Sequence, residues 1–383
     1  MTKIVYAIGN LAIMGGTERI ISEKANYFSE QLSYDVTIIC CNYHPHQPAK
    51  FYISNNVRII YLDQPVYAIH RYKYPKRLWK KIEYAKNLRK TLTDAVLDID
   101  PDIVIGLGHF KGDLISTIKC RAKKVIECHD ARPFILCYKG NHLPLYSKLF
   151  KFIYRILYFK TIERHADVVV TLTHGDMALW HKARRIEVIP NFSNMTIENY
   201  STCSYKRIIA IGRLRREKGF IRLIDIWKSV ASRYPDWKLD LYGDGEQANE
   251  LKLKIKNEHV QRITIQGFCD NLSKEYSSSS ILVSTSFFEG FSLVILEAMK
   301  HGVPCIAFDC PFGPRSIIED NKNGFLVEDG NISLFADRVC KLIENESLRK
   351  KFGADAIERS KHFDIDSIMN QWRILFEELI CND

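Results

Sequence analysis

Two carboxylates around a glycine turn form the most informative pattern in the sequence. Glu289 opens the turn Glu289-Gly290-Phe291, which follows the apolar run Ile281–Val283, and Glu297 lies on a predicted helix with seven residues between the two acids. A helix N-terminus offers unpaired N–H groups and a positive dipole end, which favour a phosphate. Carboxylates accept strong hydrogen bonds from hydroxyl groups. A solvated helix after a plain turn is the alternative, but the strand before the turn and Gly302-Val303-Pro304 after the helix favour a nucleotide-sugar site.

A second group that could bind a diphosphate is cationic. Arg213 and Lys218 lie in the basic segment that follows the predicted strand Arg207–Ile211. Arginine can bind a phosphate through two donors, and lysine acts as a point charge. Such a loop is often only a solvated surface. Its position at the carboxyl end of a strand, where open parallel sheets bind ligands, favours the phosphate-binding interpretation.

The first half of the chain offers two candidates of its own. Gly15 and Gly16 lie between the first predicted strand and a helix, where glycine lets the backbone approach a phosphate closely. A plain turn explains such a pair equally well. His129 follows the predicted strand Lys124–Cys128 and is therefore expected at the ligand-binding edge of the sheet, although a single histidine is also compatible with a structural role.

Other motifs are interpreted as structural. The two Gly-x-Gly motifs, Gly106–Gly108 and Gly243–Gly245, follow strands without completing a dinucleotide fingerprint and are interpreted as turns. The Asp-x-Asp pairs at 98–100 and 364–366 are typical of helix caps, so no metal site and no cofactor are predicted. The eleven cysteines form no Cys-x-x-Cys pair, which favours reduced thiols over a zinc site or a disulfide framework.

Composition limits the class of protein. A chain of 383 residues with 46% hydrophobic and 26% charged residues is typical of a soluble protein with two domains. No apolar run approaches the ~20 residues that a membrane-spanning helix needs. The N-terminus enters a strand without the pattern of a signal peptide, so a cytoplasmic location is expected.

The positive charge favours anionic partners. The formal net charge is +10, and residues 66–90 hold nine Lys or Arg against one acid, with aromatic residues between them. Basic and apolar side chains also alternate over Leu143–Arg164. These stretches predict either peripheral docking on an anionic membrane or helices that cover the sheet with a solvated basic face. Nucleic acid is not expected as a partner, because no recognition motif accompanies the charge.

Strands and helices alternate along the whole chain, which predicts an α/β protein with mainly parallel sheets. The pattern stops over the polar segment 193–205, which is interpreted as a linker, and restarts at residue 206. Two such sheets would place a ligand cleft between them, at the carboxyl ends of their strands.

Taken in order, these motifs resemble a retaining glycosyltransferase of family 4, with the GT-B fold of two Rossmann-like domains. The resemblance covers nearly the whole chain. The segment 308–314 further resembles members that build bacterial surface glycans from UDP-sugars. The following motifs carry the family resemblance: Gly15–Arg19, Val188–Asn191, Gly212-Arg213 with Glu217–Gly219, Tyr242–Gly245, Gly267-Phe268, Glu289 with Glu297, Gly302–Pro304 and Asn323–Val327.

The resemblance implies a role for each matching residue. Arg213 and Lys218 would neutralise the diphosphate leaving group, without a metal. Glu289 would hold hydroxyls of the donor sugar, and Glu297 would hold the ribose. The remaining implied contacts are His129 at the sugar, Gly16, beside Gly15, at the phosphates, Gly267 and Phe268 at the base, and the backbone of Phe291, Ser292, Leu293 and Val294 at the sugar and diphosphate.

These expectations combine into one predicted function. A hexose or N-acetylhexosamine would pass from a nucleotide sugar, expected to be UDP-linked, to a glycan or lipid-linked acceptor. A GDP-sugar transferase, an epimerase or phosphorylase on the same fold, and a basic nucleotide- or nucleic-acid-binding protein are the alternatives. The expected domains are an acceptor-binding domain (1–192), the linker (193–205), a donor-binding domain (206–362) and a terminal helix (363–383) that packs back on the first domain.

Overall fold

The computed structural model describes residues 1–42, 47–62, 71–73, 76–132 and 145–381. It divides the chain into two compact units. The first unit comprises the described residues of Met1–Ile189 and Met369–Asp383, and the second comprises Pro190–Ile368. Each unit is built around one parallel sheet, and each is described by itself below.

The first unit contains a sheet of seven parallel strands in the order β3-β2-β1-β4-β5-β6-β7. Its strands are β1 (Lys3–Ile8), β2 (Asp35–Cys40), β3 (Arg58–Tyr61), β4 (Ile103–Leu107), β5 (Lys123–Cys128), β6 (Val168–Thr171) and β7 (Ile186–Val188). Its helices are α1 (Gly16–Glu30), α2 (Lys76–Ile99), α3 (Gly112–Ser116), α4 (Leu145–His165) and α5 (His174–Met177). The central strands are buried throughout, since helices cover both faces of a parallel sheet.

The second unit contains a sheet of six parallel strands in the order β10-β9-β8-β11-β12-β13. Its strands are β8 (Arg207–Ile211), β9 (Lys238–Tyr242), β10 (Ile263–Gly267), β11 (Ile281–Ser284), β12 (Cys305–Phe308) and β13 (Gly324–Val327). The helices that follow α5 are α6 (Phe220–Ala231), α7 (Ala248–Asn257), α8 (Leu272–Ser277), α9 (Leu293–Lys300), α10 (Gly313–Ile317), α11 (Ile332–Glu344), α12 (Glu346–Ser360) and α13 (Ile365–Cys381).

Both sheets reverse their strand order at one point. In the first sheet β1 lies between β2 and β4, and in the second β8 lies between β9 and β11. Ligands of open parallel sheets bind beyond the carboxyl ends of the strands at such a reversal. The predicted α/β fold with two Rossmann-like units is therefore confirmed, and the segments after β8 and β11 are the ones that border the reversal in the second sheet.

The C-terminal helix α13 belongs mainly to the first unit. From Met369 onward its residues group with that unit. The rings of Phe376 and Phe28 lie 5.2 Å apart, and Arg185 forms an ion pair of 2.5 Å with Glu378. Burial of the apolar face of α13, including Trp372, attaches the helix to the first unit.

The segment 193–205, interpreted from its sequence as a linker, groups with the second unit. In that unit the backbone N–H of Ser201 donates to the carbonyl of His301 at 2.8 Å. Cys203 is buried, and its carbonyl accepts from Arg349 Nε at 2.9 Å. The backbone of this segment is irregular and is held by residues distant in sequence, so its side chains show no helical or strand periodicity. Its polar composition was therefore the signal that indicated a linker.

The structure describes parts of the two basic and aromatic stretches, 66–90 and 143–164. Residues 66–70, 74, 75, 143 and 144 lie outside the described residues. The remainder lies largely on α2 and α4. None of the helices that the structure describes is long and apolar enough to span a membrane.

Candidate functional site

An ion pair lies at the carboxyl edge of the second sheet. Lys218 Nζ is 2.7 Å from Glu289 Oε1, and Ser286 Oγ donates to the same oxygen at 2.6 Å. Lys218 comes from a short 3-10 helix after β8, and Glu289 comes from the turn after β11. The lysine side chain keeps 24% of its surface accessible and the glutamate 11%. Lys218 and Glu289, which were separate candidates from the sequence, therefore form a direct ion pair.

Backbone contacts join the two segments that carry this pair. Thr285 Oγ1 donates to the carbonyls of Lys218 and Gly219, at 3.2 and 3.1 Å. The N–H of Phe287 donates to the carbonyl of Glu217 at 2.8 Å. Gly219 has a φ of +66°, and a Cβ there would lie 2.0 Å from the Thr285 carbonyl oxygen. The close approach requires glycine at this position.

Arg222 stabilises the same junction, and sequence reasoning did not single it out. Its guanidinium donates to the carbonyls of Thr285 and Ser286 at 2.7 and 2.8 Å. It also lies 3.9 Å from the ring centroid of Phe287 and pairs with Asp329 at 2.6 Å. Because its guanidinium is engaged by all of these partners, Arg222 holds the two segments together. The basic run of the loop ends before this residue, so its spacing gave no signal.

The loop that carries Arg213 is held by the motif Gly243–Gly245. The N–H of Leu214 donates to the carbonyl of Asp244 at 2.9 Å. Gly243 has a φ of +138°, and a Cβ there would lie 1.9 Å from the carbonyl oxygen of Gly212. The motif, predicted to be a turn, thus also supports the loop that carries Arg213. Arg213 itself is exposed at the carboxyl edge of the sheet.

The turn that contains Glu289 leads into helix α9. Ser292 is the N-cap residue but makes no side-chain capping bond, and its carbonyl accepts from the N–H of Leu296 at 3.2 Å. The N–H groups of Leu293 and Val294 belong to the first turn, where a helix has no internal acceptors for them. Phe291 and Ser292 are buried, so the backbone at the helix start is fixed in place.

Glu297 lies in the second turn of α9. It is buried, and the Tyr276 hydroxyl donates to its Oε2 at 3.0 Å. His301 Nδ1 contacts the Glu297 carbonyl at 2.7 Å, and its Nε2 lies 2.8 Å from Ser273 Oγ. Burial lowers the pKa of His301, which keeps the ring uncharged at neutral pH. Tyr276 precedes β11 on α8, and its spacing from Glu297 gave no sequence signal.

The segment that resembles UDP-sugar enzymes packs directly behind Glu289. Residue Phe312 pairs with Glu289 through a parallel β-bridge and has a φ of +77°, which is strained for a residue with a side chain. A Cβ on Gly313 would lie 2.5 Å from Glu289 Cβ. The position of the carboxylate therefore depends on this strained turn.

Gly267 and Phe268 end strand β10 at the same edge of the sheet. The carbonyl of Gly267 accepts a hydrogen bond from the N–H of Gly243 at 2.7 Å. This bond links the end of β10 to the motif Gly243–Gly245 that supports the Arg213 loop. The Phe268 ring is 57% exposed. An exposed aromatic side chain beside a ligand-binding edge can stack on a flat ring such as a base.

Three predicted site residues belong to the first unit. Gly15 is the extended N-cap of α1, and Gly16 begins that helix with an exposed backbone. His129 follows β5 and is buried, with Nε2 3.2 Å from Glu127 Oε1. The structure thus groups Arg213, Lys218, Glu289, Glu297 and their neighbours in one unit, and these three in the other.

Two known glycosyltransferase families match the two halves of this chain. The family described as "Glycosyltransferase Family 4" matches residues 14–195, and "Glycosyl transferases group 1" matches residues 202–359. The chain is 30% identical to the amylovoran biosynthesis glycosyltransferase AmsD of Erwinia amylovora, over 97% of this chain and 99% of that protein.

Two further similarities cover the full length. The chain is 24% identical to the GalNAc-alpha-(1->4)-GalNAc-alpha-(1->3)-diNAcBac-PP-undecaprenol alpha-1,4-N-acetyl-D-galactosaminyltransferase of Campylobacter jejuni, over 99% of both chains. The fold of the present chain is similar to that of sucrose-phosphate synthase from Thermosynechococcus elongatus, with a TM-score of 0.83, 17% identity and 100% of both chains covered. The predicted family is confirmed: the chain belongs to glycosyltransferase family 4 and has the GT-B fold.

Proposed function

We propose that this glycosyltransferase moves a hexose or an N-acetylhexosamine from a UDP-sugar to a glycan or lipid-linked acceptor in surface polysaccharide synthesis. The ion pair between Lys218 and Glu289 carries the proposal, because it places a cation and a hydroxyl-binding carboxylate 2.7 Å apart beside a helix N-terminus. The named substrates of the relatives support the acceptor class: one acts in amylovoran biosynthesis and another on a glycan attached to PP-undecaprenol.

The donor would bind along the edge of the second sheet. Its diphosphate would lie against the start of α9, with Lys218 and Arg213 as cations, and Glu289 would accept hydrogen bonds from sugar hydroxyls. Cations fixed where negative charge develops on the leaving group stabilise the transition state. We propose that these two side chains supply the positive charge without a metal ion, and that transfer proceeds with retention at the anomeric carbon.

The remaining site residues follow from the family resemblance. Glu297 would hold the ribose, with its carboxylate oriented by Tyr276, and Gly267 with Phe268 would lie beside the base. Within the first unit, the proposed acceptor-binding unit, Gly16 would approach the phosphates and His129 would contact the donor sugar.

A panel of nucleotide sugars tests the donor. UDP-sugars at about one hundred times Kd are expected to stabilise the protein by about 2.7 kcal/mol, because a ligand of the folded state adds its binding energy to stability. The measurement is a thermal-shift scan with UDP- and GDP-linked hexoses and N-acetylhexosamines, followed by NMR of the transfer product in the presence of EDTA.

The outcomes separate the parts of this proposal. A stabilising UDP-sugar that gives a product with the donor's anomeric configuration, unaffected by EDTA, supports all of them. Stabilisation by GDP-sugars alone contradicts the choice of nucleotide. An inverted product contradicts retention, and activity lost with EDTA contradicts metal independence.

We further propose that the protein docks on an anionic membrane through helices α4 and α2. On α4, Ile153, Tyr154, Ile156 and Leu157 are each about half exposed, and basic residues follow them on the same helix. On α2, Trp79 is 70% exposed within a run rich in Lys and Arg. Large exposed apolar side chains flanked by cations are typical of helices that lie in a bilayer interface.

A double substitution tests this docking surface. Ile153→Glu with Leu157→Glu, one turn apart on α4, is expected to weaken binding to phosphatidylglycerol vesicles at least about tenfold, since each buried aliphatic side chain contributes about 1.5–3 kcal/mol. Vesicle sedimentation at low salt measures the effect. Leu253→Glu is the matched control, because Leu253 is equally exposed but lies in the second unit. Equal sedimentation of both variants, or none for the wild type, would contradict the proposal.

A further inference from the structure

A buried ion pair inside the first unit joins two residues that the sequence did not indicate as candidates, Lys24 and Glu127. Lys24 on α1 and Glu127 on β5 approach to 2.6 Å, and each side chain keeps only 1% of its surface accessible. Two charges are removed from water at a large cost, and a pair of apolar side chains would fill the same space without it. A contribution to stability alone therefore does not account for this pair.

The pair is enclosed by four elements. The Lys24 ammonium lies 3.4 Å from the ring centroid of Trp372 on α13 and 5.9 Å from the ring centroid of Tyr6 on β1. Aromatic faces attract a desolvated cation. Helix α13 therefore closes the site of Lys24 from the side that α1 and the sheet leave open.

His129 contacts the carboxylate of this pair. Its Nε2 is 3.2 Å from Glu127 Oε1, the same oxygen that binds Lys24, and its side chain is 3% exposed. Of the buried polar atoms that lack a hydrogen-bond partner within the described ranges, four lie at this pair: Glu127 Oε2, both ring nitrogens of His129 and the Tyr6 hydroxyl. The 3.2 Å approach of His129 Nε2 to Glu127 Oε1 is thus a contact between ionisable groups without hydrogen-bond geometry. Buried polar atoms are nearly always paired, and exceptions occur where a ligand or a reaction uses them.

The charges near Glu127 determine its protonation state. Burial raises its pKa, but the nearby charges of Lys24 and His129 outweigh burial and lower it to about 2. Burial lowers the pKa of Lys24 to about 8, against the opposing effect of Glu127. Near neutral pH the carboxylate is therefore ionised and too weak a base to take a proton from a substrate, so it can act only through the imidazole beside it.

We propose that Lys24 and Glu127 are positioning residues that set the tautomer and the charge of His129. This inference rests on the proposed function, in which His129 contacts the donor sugar. The carboxylate favours a proton on Nε2 and leaves Nδ1 as an acceptor for a hydroxyl group. Lys24 contacts the same carboxylate oxygen as His129 and offsets most of its negative charge at the imidazole.

Other titratable groups face this histidine and share its environment. On β1, Tyr6 lies beside Lys24, and both burial and Glu127 raise the pKa of its hydroxyl, which therefore keeps the proton. Asp130 follows His129 in the chain and lies 3.6 Å from Nδ1 of His109, in the segment after β4. The charges that shift the pKa of His109 do not include Lys24 or Glu127, whereas Tyr6 loses the influence of Glu127 in the double variant.

NMR of the full-length protein with labelled histidine tests the proposal. The signals of His129 are assigned by comparison with His129→Gln. In Lys24→Met, Glu127 loses its counter-ion, and the pKa of His129 is expected to rise by about 1–3 pH units, as it does beside an uncompensated carboxylate. In the wild type the ring nitrogen shifts are expected to show the Nε2–H tautomer.

A second variant keeps the test decisive should Lys24→Met fail to fold. Lys24→Met with Glu127→Met replaces the pair by apolar side chains, which buried sites usually tolerate. This variant is expected to lose the Nε2–H preference and to lower kcat by about 10- to 100-fold, with little change in KM for the donor, as when a partner that orients a functional histidine is removed. A surface histidine such as His181 serves as the internal reference and should titrate as in the wild type.

Two results would overturn the inference. One is a folded Lys24→Met variant whose His129 keeps the wild-type pKa, and the other is a double variant with the wild-type tautomer. Neither readout uses transferase activity. A protein that shows the expected NMR changes but accepts no nucleotide sugar would contradict the proposed function and leave this inference intact.

Discussion

Lys218→Ala is expected to lower kcat by about 10²–10³-fold, the loss typical of removing one group that stabilises a leaving anion. Lys218 Nζ lies 2.7 Å from Glu289 Oε1 and would lie between that carboxylate and the donor diphosphate. The effect should appear in kcat more than in KM, because the negative charge grows in the transition state. Steady-state transfer assays with the active UDP-sugar measure it.

Arg216→Ala is the matched control for this substitution. Arg216 lies in the same 3-10 helix as Lys218 but is exposed, so its replacement should leave kcat within about twofold of wild type. Because Lys218 and Glu289 are partners, the double variant Lys218→Ala/Glu289→Ala should lose less than the product of the two single losses. Equal losses for Lys218→Ala and Arg216→Ala would indicate a general charge effect, and full additivity would show that the pair does not act as a unit.

The fold was predictable because parallel sheets have a simple sequence signature. A strand buried on both faces is a short apolar run, and Lys124–Cys128 was predicted within one residue of β5 on that basis. The candidate partners of a diphosphate were equally visible, since Arg213 and Glu289 lie in the segments that follow β8 and β11, and parallel strands end at one edge of a sheet. The order of strands in each sheet then brings the segments after β8 and β11 together.

The supporting residues were not predictable, for physical reasons that differ between them. Lys24 and Glu127 are 103 positions apart, and a lysine on a helix is nearly always exposed, so nothing in its neighbourhood indicates burial. Tyr276 reaches Glu297 only because α8 and α9 pack on the same unit. The close approach of Gly243 to the Gly212 carbonyl depends on the distance between two strands, which no local pattern contains.

A further substitution, Gly219→Ala, is expected to destabilise the second unit by roughly 2–5 kcal/mol. The left-handed φ of +66° costs an alanine about 1–2 kcal/mol, and forcing a methyl group into a closed contact costs about 1–3 kcal/mol more. The contact is with the Thr285 carbonyl oxygen, 2.0 Å from the position of the new Cβ. Thermal unfolding measures the loss, and the stabilisation by the donor should disappear, because Lys218 and Ser286 flank the displaced backbone.

Gly330→Ala separates the two contributions. Gly330 also has a left-handed backbone, with a φ of +86°, but a Cβ there meets nothing within 4 Å. Its substitution should therefore cost only the backbone term of about 1–2 kcal/mol and should preserve stabilisation by the donor. A loss for Gly219→Ala that exceeds that for Gly330→Ala measures how rigidly Thr285 holds the two site segments together. Equal losses with donor binding intact would mean that the Thr285 carbonyl moves aside at little cost, and the junction between the segments would then not be what fixes Lys218 beside Glu289.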